Sequence, residues 1–399
     1  LKSGGIMNIN AIKEKVEKEK EWLINVRRDL HKHPELGQEE FRTMEKICEY
    51  LQEMGISYKD KVFKTGVIAE IKGEDQGYTI ALRADIDALP IIDKKNTSYA
   101  SINEGKCHAC GHDAHTTIAL GVAKYFSDNK IVPPCNIRFL FQPAEETVGG
   151  AKPMIQEEAL ENVNCVFGLH VDEYLPTGHI GIKYGAMNAS SDTLKINIYG
   201  KSCHGAYPSG GVDAILAASH VMVALQSIVS RNIDARESGV VTIGTIHGGT
   251  QGNIIADKVQ LVGTLRTLNP EVRKTMLEKI EEIVTNVPKA FGGSGEFIRE
   301  EGYTALINHD KEVDIVKENA VELLGEDNIF EKKTANMGVE DFAYFIENTP
   351  GAFFTLGVKN KEKGIDTPAH NGLFDIDEDA LLVGVEMQLL NIYSAFNKK

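Results

Sequence analysis

The sequence has few of the residues that define several specialised protein classes. Its six cysteines are too few and too irregularly spaced for a disulfide scaffold, so a reducing compartment is expected: Cys48, Cys107, Cys110, Cys135, Cys165 and Cys203. Basic residues are also in deficit, because 43 Lys and Arg stand against 58 Asp and Glu, for a net charge of -15. Affinity for phosphate backbones depends on surplus Lys and Arg, so this balance argues against a nucleic-acid partner.

Long apolar runs are missing as well. The longest uncharged stretch, 214–230, is interrupted by polar residues and falls short of the ~20 apolar residues of a membrane span, so it predicts a packed helix. The region after Met7 is charged and amphipathic where a secretory signal would need an apolar core, and residues 1–6 resemble a cloning remnant. We expect a cytoplasmic protein with no membrane partner.

The chain does contain enough apolar material for a core. With 42% hydrophobic and 25% charged residues over 399 positions, it predicts roughly two to three domains. Helical and strand patterns alternate in the first half, with helices expected at about 9–32 and 38–54 before the strand-like VIAEI and YTIALRA. This alternation favours an α/β sheet with helices on its faces. Ligands bind such sheets outside the carboxyl ends of the strands, where Gln142 and His170 end apolar runs.

The pattern changes after Tyr184. New alternating strands, the uncharged helix, two more strands and a helix opened by Asn269-Pro270 give the order β-α-β-β-α-β, which is typical of a ferredoxin-like unit. From about residue 303 the earlier patterns return. We therefore expect a first domain in two parts, 1–186 and 300–399, interrupted by an inserted domain at 187–299.

The segment CHACGHDAH, residues 107–115, contains two thiols and three imidazoles at the start of a predicted helix. A zinc finger would need a second CxxC or an HxxxH pair, and a thioredoxin-like CxxC would not need the neighbouring histidines. We therefore favour a metal site. Cys110 and His112 flank one glycine that lets both side chains turn inward, so Cys107 and His108 are expected to be bystanders.

Two adjacent carboxylates, Glu145 and Glu146, follow an apolar strand in FLFQPAEE. One carboxylate of such a pair can bind a metal while its neighbour faces the metal-bound water as general base. Pairs of Glu are usually found on solvated helix faces, so this interpretation depends on the Cys/His segment.

Further candidates lie at predicted strand ends and in loops. His170 closes a strand and His370 lies in TPAHNGLFD, and each would supply a nitrogen ligand, although a lone His is more often structural. Asp85 and Asp87 in LRADIDALP can be turn residues or can orient the imidazole ligands from behind.

The inserted segment contributes three polar residues. His204 in GKSCHGAYP could donate a hydrogen bond to an oxyanion, and Asn253 and Arg266 could hold a substrate carboxylate. From spacing alone, a structural role is more common for each of them.

Nine motifs, taken in order and spacing from about Val26 to the C-terminus, resemble the dinuclear-metal amidohydrolases of the aminoacylase and carboxypeptidase G family. The nearest branch contains hippurate hydrolase, indoleacetyl-amino-acid hydrolases and N-acetyldiaminopimelate deacetylase. The motifs are LRADIDALP, GKCHACGHDAH, FLFQPAEE, FGLHV, GKSCHGAYP, GNIIAD, GTLRT, NMGVEDFAYF and PGAFFTLG.

This resemblance implies a catalytic domain with a mixed, mostly parallel sheet flanked by helices, and an inserted ferredoxin-like lid that is also the dimerisation surface. It implies two divalent metal ions, Zn²⁺ or Mn²⁺ with Co²⁺ or Ni²⁺ as alternatives, held by Cys110, His112, Glu146, His170 and His370. Glu145 is then the base, His204 the lid residue at the oxyanion, and Asn253 and Arg266 the residues that bind the substrate carboxylate. Asp87 corresponds to the aspartate behind the metals.

Three positions depart from the branch. A second lid histidine is replaced by Ser209, Cys107 stands where Met is usual, and Ala369 replaces a more common Leu. The first change leaves His204 in place but puts any inherited substrate preference in doubt. The other two lie beside implied ligands.

The expected function is hydrolysis of N-acyl or N-aroyl L-amino acids to a carboxylic acid and a free amino acid, with the acyl group left open. A dipeptidase or aminopeptidase is the near alternative, and it would need an acidic group for a free substrate amine. A non-catalytic binding protein is the alternative from another class, and the complete candidate set argues against it. A homodimer formed through the inserted domain is expected.

Overall fold

The computed structural model describes residues 8–399, so the predicted cloning remnant at 1–6 lies outside the described residues. The helices are α1 Ile9–Glu17, α2 Lys20–Lys32, α3 Phe41–Glu53, α4 His112–Asp128, α5 Ala151–Gln156, α6 Ala214–Ser227, α7 Pro270–Asn286, α8 Asp310–Leu324, α9 Ala343–Ile346 and α10 Ala380–Asn397. The first strands are β1 Ser57–Val62, β2 Gly66–Ile71, β3 Asp75–Asp85, β4 Cys135–Gln142, β5 Cys165–Pro176, β6 Ile180–Ile182 and β7 Gly185–Asn188. The later strands are β8 Ser190–Tyr199, β9 Gly239–Gly248, β10 Lys258–Thr267, β11 Ser294–Glu301, β12 Leu306–Asn308, β13 Ile329–Glu331 and β14 Gly351–Lys359.

The chain folds into two compact units. The first contains the chain up to Gly185 together with Asn308–Lys333 and Tyr344–Lys399, and the second contains Ala186–Ile307 and Thr334–Ala343. Each unit has its own hydrophobic core.

An eight-stranded sheet with the order β1-β2-β4-β3-β5-β14-β6-β13 forms the centre of the first unit. The pairs β3/β4, β3/β5, β5/β14 and β6/β13 are parallel, and the remaining three are antiparallel. This is the predicted mixed, mostly parallel sheet. Its central strands are apolar and buried along nearly their whole length, as expected for strands covered on both faces.

Helix α4 is almost entirely buried in the core of the first unit, and most of α10 is buried there too. Fully burying one Val, Leu, Ile or Phe side chain contributes about 1.5–3 kcal/mol, so this core holds the ends of the central strands firmly in place. The single helix expected at about 9–32 is in fact two, α1 and α2, with residues 18 and 19 between them. Helix α4 begins at His112, within the segment 107–115 that was predicted to start a helix.

The second unit is a four-stranded antiparallel sheet with the order β11-β8-β10-β9, packed against α6 and α7. Its elements follow the predicted order β-α-β-β-α-β, with the last strand added beside the first, so the ferredoxin-like prediction is confirmed. Strand β9 lies at an edge, and most of its residues are exposed.

Helix α6 continues through a π-helical turn to Asn232, and this 19-residue stretch is long and apolar enough to cross a membrane by length and composition alone. One such helix is weak evidence, and it packs one face into the core of the second unit through Ala214, Ala217, Ala218, Val221 and Leu225. The predicted packed helix is therefore present, but only 33% of its most apolar window is buried.

Candidate metal centre

Several of the predicted site residues are positioned by parallel strands of the large sheet. Strand β3 ends at Asp85, and β4 ends three residues before Glu145. His170 lies at the middle of β5, so the prediction that it closes the strand is wrong, because β5 continues to Pro176. The neighbouring apolar residues of these strands are buried, which fixes the direction in which each polar end group points. The arrangement agrees with the general position of ligand sites in open α/β sheets.

Gly111 allows Cys110 and His112 to face the same site. It precedes α4 with φ +87°, a left-handed conformation that other residues rarely adopt. A Cβ atom at this position would lie 2.4 Å from Val171 Cγ2. The glycine between the two predicted ligands is therefore required both by its backbone conformation and by the close approach of β5.

The thiol and imidazole donors lie close together. Cys110 Sγ is 3.3 Å from His170 Nε2, and one donor atom each from Cys110, His112 and His170 lies within 4.8 Å of the others. His170 Nδ1 is 2.7 Å from the Val171 carbonyl oxygen, so Nδ1 carries the proton and Nε2 presents its lone pair to the thiol.

The carboxylates join this group through His370, which comes from the other end of the chain. Its Nε2 lies 3.2 Å from Glu146 Oε1, and its backbone N–H donates to the Ala109 carbonyl at 2.7 Å. Cys110, Glu146 and His370 form a second group with donor atoms within 4.8 Å, and His112, Glu145 and Glu146 form a third. The structure thus brings all six predicted residues of the centre into overlapping groups.

Asp87 orients two of the predicted ligands. Its Oδ1 is 3.1 Å from His112 Nδ1, and its Oδ2 accepts a hydrogen bond from the Glu146 backbone N–H at 2.9 Å. His112 Nε2 is buried, has no hydrogen-bond partner among residues 8–399, and lies 3.5 Å from Asp85 Oδ2. An imidazole held at one nitrogen by a carboxylate, with the other nitrogen free, is the usual arrangement of a metal-ligating histidine.

Asp85 is tied mainly to His115. Its Oδ1 is 2.5 Å from His115 Nδ1, and Arg83 donates to its Oδ2 at 2.7 Å. His115 Nε2 in turn accepts the Val171 backbone N–H at 2.9 Å. Both ring nitrogens of His115 are therefore engaged, and this histidine fixes the backbone beside His170.

Burial and neighbouring charges shift the titration of the centre. Burial raises the pKa of the Cys110 thiol well above its ordinary value, although His112 opposes this shift. Burial also opposes charge on Glu146, but the hydrogen bond from His370 and the charge of His112 lower the pKa of Glu146 to about 2. Because thiolate is the ligating form, cation binding at Cys110 would release a proton.

Glu40 was missed by the sequence analysis. Its side chain is fully buried, accepts the Ala144 backbone N–H at 2.9 Å and accepts the Thr65 hydroxyl at 2.6 Å. Ala144 has φ +60° and directly precedes Glu145, so Glu40 holds the turn that presents the predicted base. Burial raises the pKa of Glu40 to about 7.

The predicted lid residues lie in the second unit. Gly205 N–H donates to the Asn253 carbonyl at 2.8 Å and His204 pairs with Ile254, so the segments carrying His204 and Asn253 are neighbours. Both residues are exposed. Arg266 is half-buried in β10, opposite Ser191 and Val240 in the register of the sheet.

Comparison with known proteins identifies the family. The model of peptidase family M20/M25/M40 matches residues 81–392, which include all six residues of the centre. The chain belongs to this family. The predicted resemblance is therefore confirmed, and so is the prediction of a hydrolase from a dinuclear metal family.

Two curated relatives and one solved structure are similar over most of their length. The chain is 39% identical to N-acetyl-L-cysteine deacetylase of Bacillus subtilis, covering 90% of this chain and 85% of the relative. It is 41% identical to N-acetyldiaminopimelate deacetylase of Bacillus cytotoxicus, covering 85% and 90%. A Bacillus subtilis protein described as a dinuclear metal binding peptidase of the M20 family superposes with a TM-score of 0.83 at 33% identity, covering 96% and 99%.

Proposed function

We propose that this member of the M20 family hydrolyses the amide bond of N-acyl L-amino acids, releasing a carboxylic acid and a free amino acid. The proposal depends mainly on the overlapping donor groups of the candidate centre, with Glu145 within 4.8 Å of the ligating atoms of its neighbours. Similarity to two N-acyl amino acid deacetylases supports this substrate class.

Two divalent ions would be held by one thiol, three imidazoles and one carboxylate: Cys110, His112, His170, His370 and Glu146. The buried, unpaired Nε2 of His112 and the proximity of Cys110 Sγ to His170 Nε2 fit such ions. A mixed sulfur, nitrogen and oxygen set suits Zn²⁺, and Mn²⁺, Co²⁺ or Ni²⁺ could also fill it, because availability often decides which metal is bound. When bound, the metals would lower the pKa of a water molecule and polarise the substrate carbonyl.

Glu145 is the proposed general base and acid. It takes the proton from the attacking water and delivers it to the leaving amine. Its side chain is 9% exposed, and the turn that carries it is held by Glu40, so the carboxylate is positioned before substrate arrives. Asp87 keeps the Glu146 backbone and the His112 ring in place beside it.

The three residues of the second unit take their proposed roles from the motif resemblance. His204 is proposed to donate a hydrogen bond to the oxyanion that forms during attack on the carbonyl. Asn253 and Arg266 are proposed to bind the substrate carboxylate, with the guanidinium suited to a bidentate contact. The segments that carry His204 and Asn253 are neighbours, which is compatible with a shared role for these two residues.

The oligomeric state and location also remain proposals. We propose a homodimer through the second unit, supported by the exposed edge strand β9 and the exposed apolar residues of α6. We propose a cytoplasmic location, supported by six cysteines that are all unpaired.

The test is amine release from N-acetyl, N-benzoyl and N-indoleacetyl amino acids and from free dipeptides, by protein loaded with Zn²⁺ or Mn²⁺. We expect chelator-sensitive release from at least one N-acyl class. Cleavage of dipeptides alone would replace the proposal with a peptidase activity. No release from any substrate, with metal bound, would contradict it.

A further inference from the structure

A second group of potential ligands lies elsewhere in the first unit. It consists of His31 in α2, Asp93 in the loop after β3, and Cys107 in the CHACGHDAH segment. One donor atom from each lies within 4.8 Å of the other two. The side chains of His31 and Cys107 are fully buried, and that of Asp93 is 3% exposed, so the group is enclosed by protein.

His31 is held in the same way as His112. Its Nδ1 lies 2.6 Å from Asp113 Oδ2, which assigns the Nδ1 proton to this short hydrogen bond. Its Nε2 is buried, has no hydrogen-bond partner within the described chain, and lies 3.6 Å from Asp93 Oδ2. A carboxylate anchors one nitrogen and leaves the other directed at potential ligands, which is the arrangement of a metal-binding imidazole.

We propose that His31, Asp93 and Cys107 form a third metal site, separate from the dinuclear centre and suited to Zn²⁺. Zinc combines imidazole, thiolate and carboxylate ligands in structural sites. Two nitrogen or oxygen ligands about 2.0–2.1 Å from a tetrahedral ion are themselves about 3.3 Å apart, close to the 3.6 Å between His31 Nε2 and Asp93 Oδ2.

A further imidazole, that of His108, lies beside this group. The His108 ring centre lies 6.3 Å from that of His31, and both of its ring nitrogens are buried without a hydrogen-bond partner among the described residues. Either of these buried nitrogens can act as a metal ligand when it carries no proton. With His108 as the fourth ligand, the site would be structural, because no position would stay open for substrate.

The ammonium group of Lys95 lies in this site and would compete with a metal ion for its ligands. Its Nζ lies 3.1 Å from Asp93 Oδ1 and 3.6 Å from Cys107 Sγ, and its side chain is 5% exposed. A metal ion must displace this ammonium from Asp93 and Cys107. It must also remove the thiol proton and the Nε2 proton of His31, which Asp113 and Asp93 stabilise. We therefore expect the third ion to bind more weakly than the two ions of the dinuclear centre.

The third ion would connect three separate segments of the first unit. Cys107 is three positions before Cys110, and Asp113, the anchor of His31, directly follows His112. Helix α2 would thus be linked to two parts of the loop between β3 and α4, beside the catalytic ligands. The consequence is structural, so the site should affect unfolding more than the chemistry of hydrolysis.

Metal content measured after dialysis against buffered Zn²⁺ tests the proposal without relying on activity. We expect three zinc ions per wild-type chain and two in the Cys107→Ala variant. Cys135→Ala removes an equally buried thiol from β4 and should keep three. Two ions in the wild type, or three in Cys107→Ala, would overturn the third site and leave the proposed hydrolase intact, whereas no bound metal would contradict both.

A second variant tests the proposal even if Cys107→Ala does not fold. Lys95→Met removes the competing ammonium and keeps all proposed ligands. We expect it to bind the third Zn²⁺ at least tenfold more tightly than the wild type, and to gain thiolate-to-cobalt charge-transfer absorption when the third equivalent of Co²⁺ is added. Unchanged affinity for the third equivalent, without the added absorption, would overturn the proposal.

Discussion

The hydrogen bonds around His170 determine which of its ring nitrogens faces Cys110. The Val171 carbonyl engages Nδ1, and His115 holds the Val171 N–H, so the ring can present only Nε2 to Cys110. Because Nδ1 and the backbone next to the ring are both held, the His170 ring has little rotational freedom left to lose when a metal binds.

His170→Ala should therefore lower the metal content at equilibrium. Loss of one of five proposed ligands is expected to weaken metal binding at the dinuclear centre about tenfold or more. Mutation of residues that only hydrogen-bond a metal ligand already lowers metal affinity or activity about 10–100-fold. Metal analysis after dialysis measures the effect. His220→Ala, in the exposed part of α6, is the matched control and should keep its metal; equal metal content in both variants would show that His170 is not a ligand.

Local sequence predicted the residues whose partners are close in the chain. Cys110, His112 and Glu146 stand in short motifs with recognisable spacing, and a glycine with the required conformation marks the first pair. Glu40 and His115 could not be assigned in this way. Glu40 binds a backbone N–H that is 104 residues away, and His115 binds a strand 56 residues away, and no local pattern encodes such pairings.

The turn at residues 143–146 is an element whose shape depends on distant contacts. Ala144 adopts φ +60°, and a Cβ atom on Gly150 would lie 1.9 Å from the Pro143 carbonyl oxygen. Residues other than glycine rarely adopt this φ, so the surrounding contacts must hold the conformation. Glu40 supplies one of them.

Glu40→Ala should reduce kcat about 10- to 100-fold while leaving metal content unchanged, because it leaves the Ala144 N–H without its acceptor and lets Glu145 move. The buried unpaired N–H should also cost about 1–3 kcal/mol of unfolding free energy. Glu39→Ala, whose exposed side chain pairs with Lys106, is the control and should change neither quantity. Full activity in Glu40→Ala would contradict the positioning role.

Helix α10 carries a buried carboxyl group with a pH-dependent cost. Glu386 is 8% exposed. Burial raises its pKa to about 7, and the positive charge of Lys13 opposes this shift with a smaller effect. The folded state therefore retains a proton that the unfolded chain loses near its ordinary value of 4.5. The free energy of unfolding therefore falls as pH rises from 4.5 to 7. At pH 8 the full cost of ionising this buried carboxyl group is present.

Glu386→Gln should remove this penalty. At pH 8 the variant is expected to be about 1–3 kcal/mol more stable than the wild type in denaturant unfolding, and near pH 4.5 the difference should vanish. A stability difference that does not change between these two pH values would rule out the burial effect.

The order of elements along the whole chain was more predictable than the contacts within it. Hydrophobic periodicity revealed the ferredoxin-like order of the second unit and an α/β sheet in the first, whereas the mixed strand directions of that sheet were implied by the family resemblance. It did not reveal that Thr334–Ala343 belongs with the second unit, because this short segment has little regular secondary structure. It also did not show which face of α6 is exposed.

The exposed face of α6 tests the proposed dimer. Val223 is 73% exposed, and Ile215 and Leu216 on the same helix are also exposed. If this face packs against a second copy, Val223→Asp should shift the mass in light scattering from dimer to monomer while the chain stays folded. Val132→Asp, on an exposed loop of the first unit, should stay dimeric; a dimeric Val223→Asp variant would contradict an interface at this face.

Turnover and metal content of Glu145→Gln, measured together, test the central claim most directly. The variant keeps the size of the side chain but cannot take the proton from water. With Zn²⁺ bound as in the wild type, release of amine from the best N-acyl amino acid should fall about 10²–10⁴-fold. Turnover per bound metal equal to that of the wild type would contradict both the role of Glu145 and the proposed mechanism of hydrolysis.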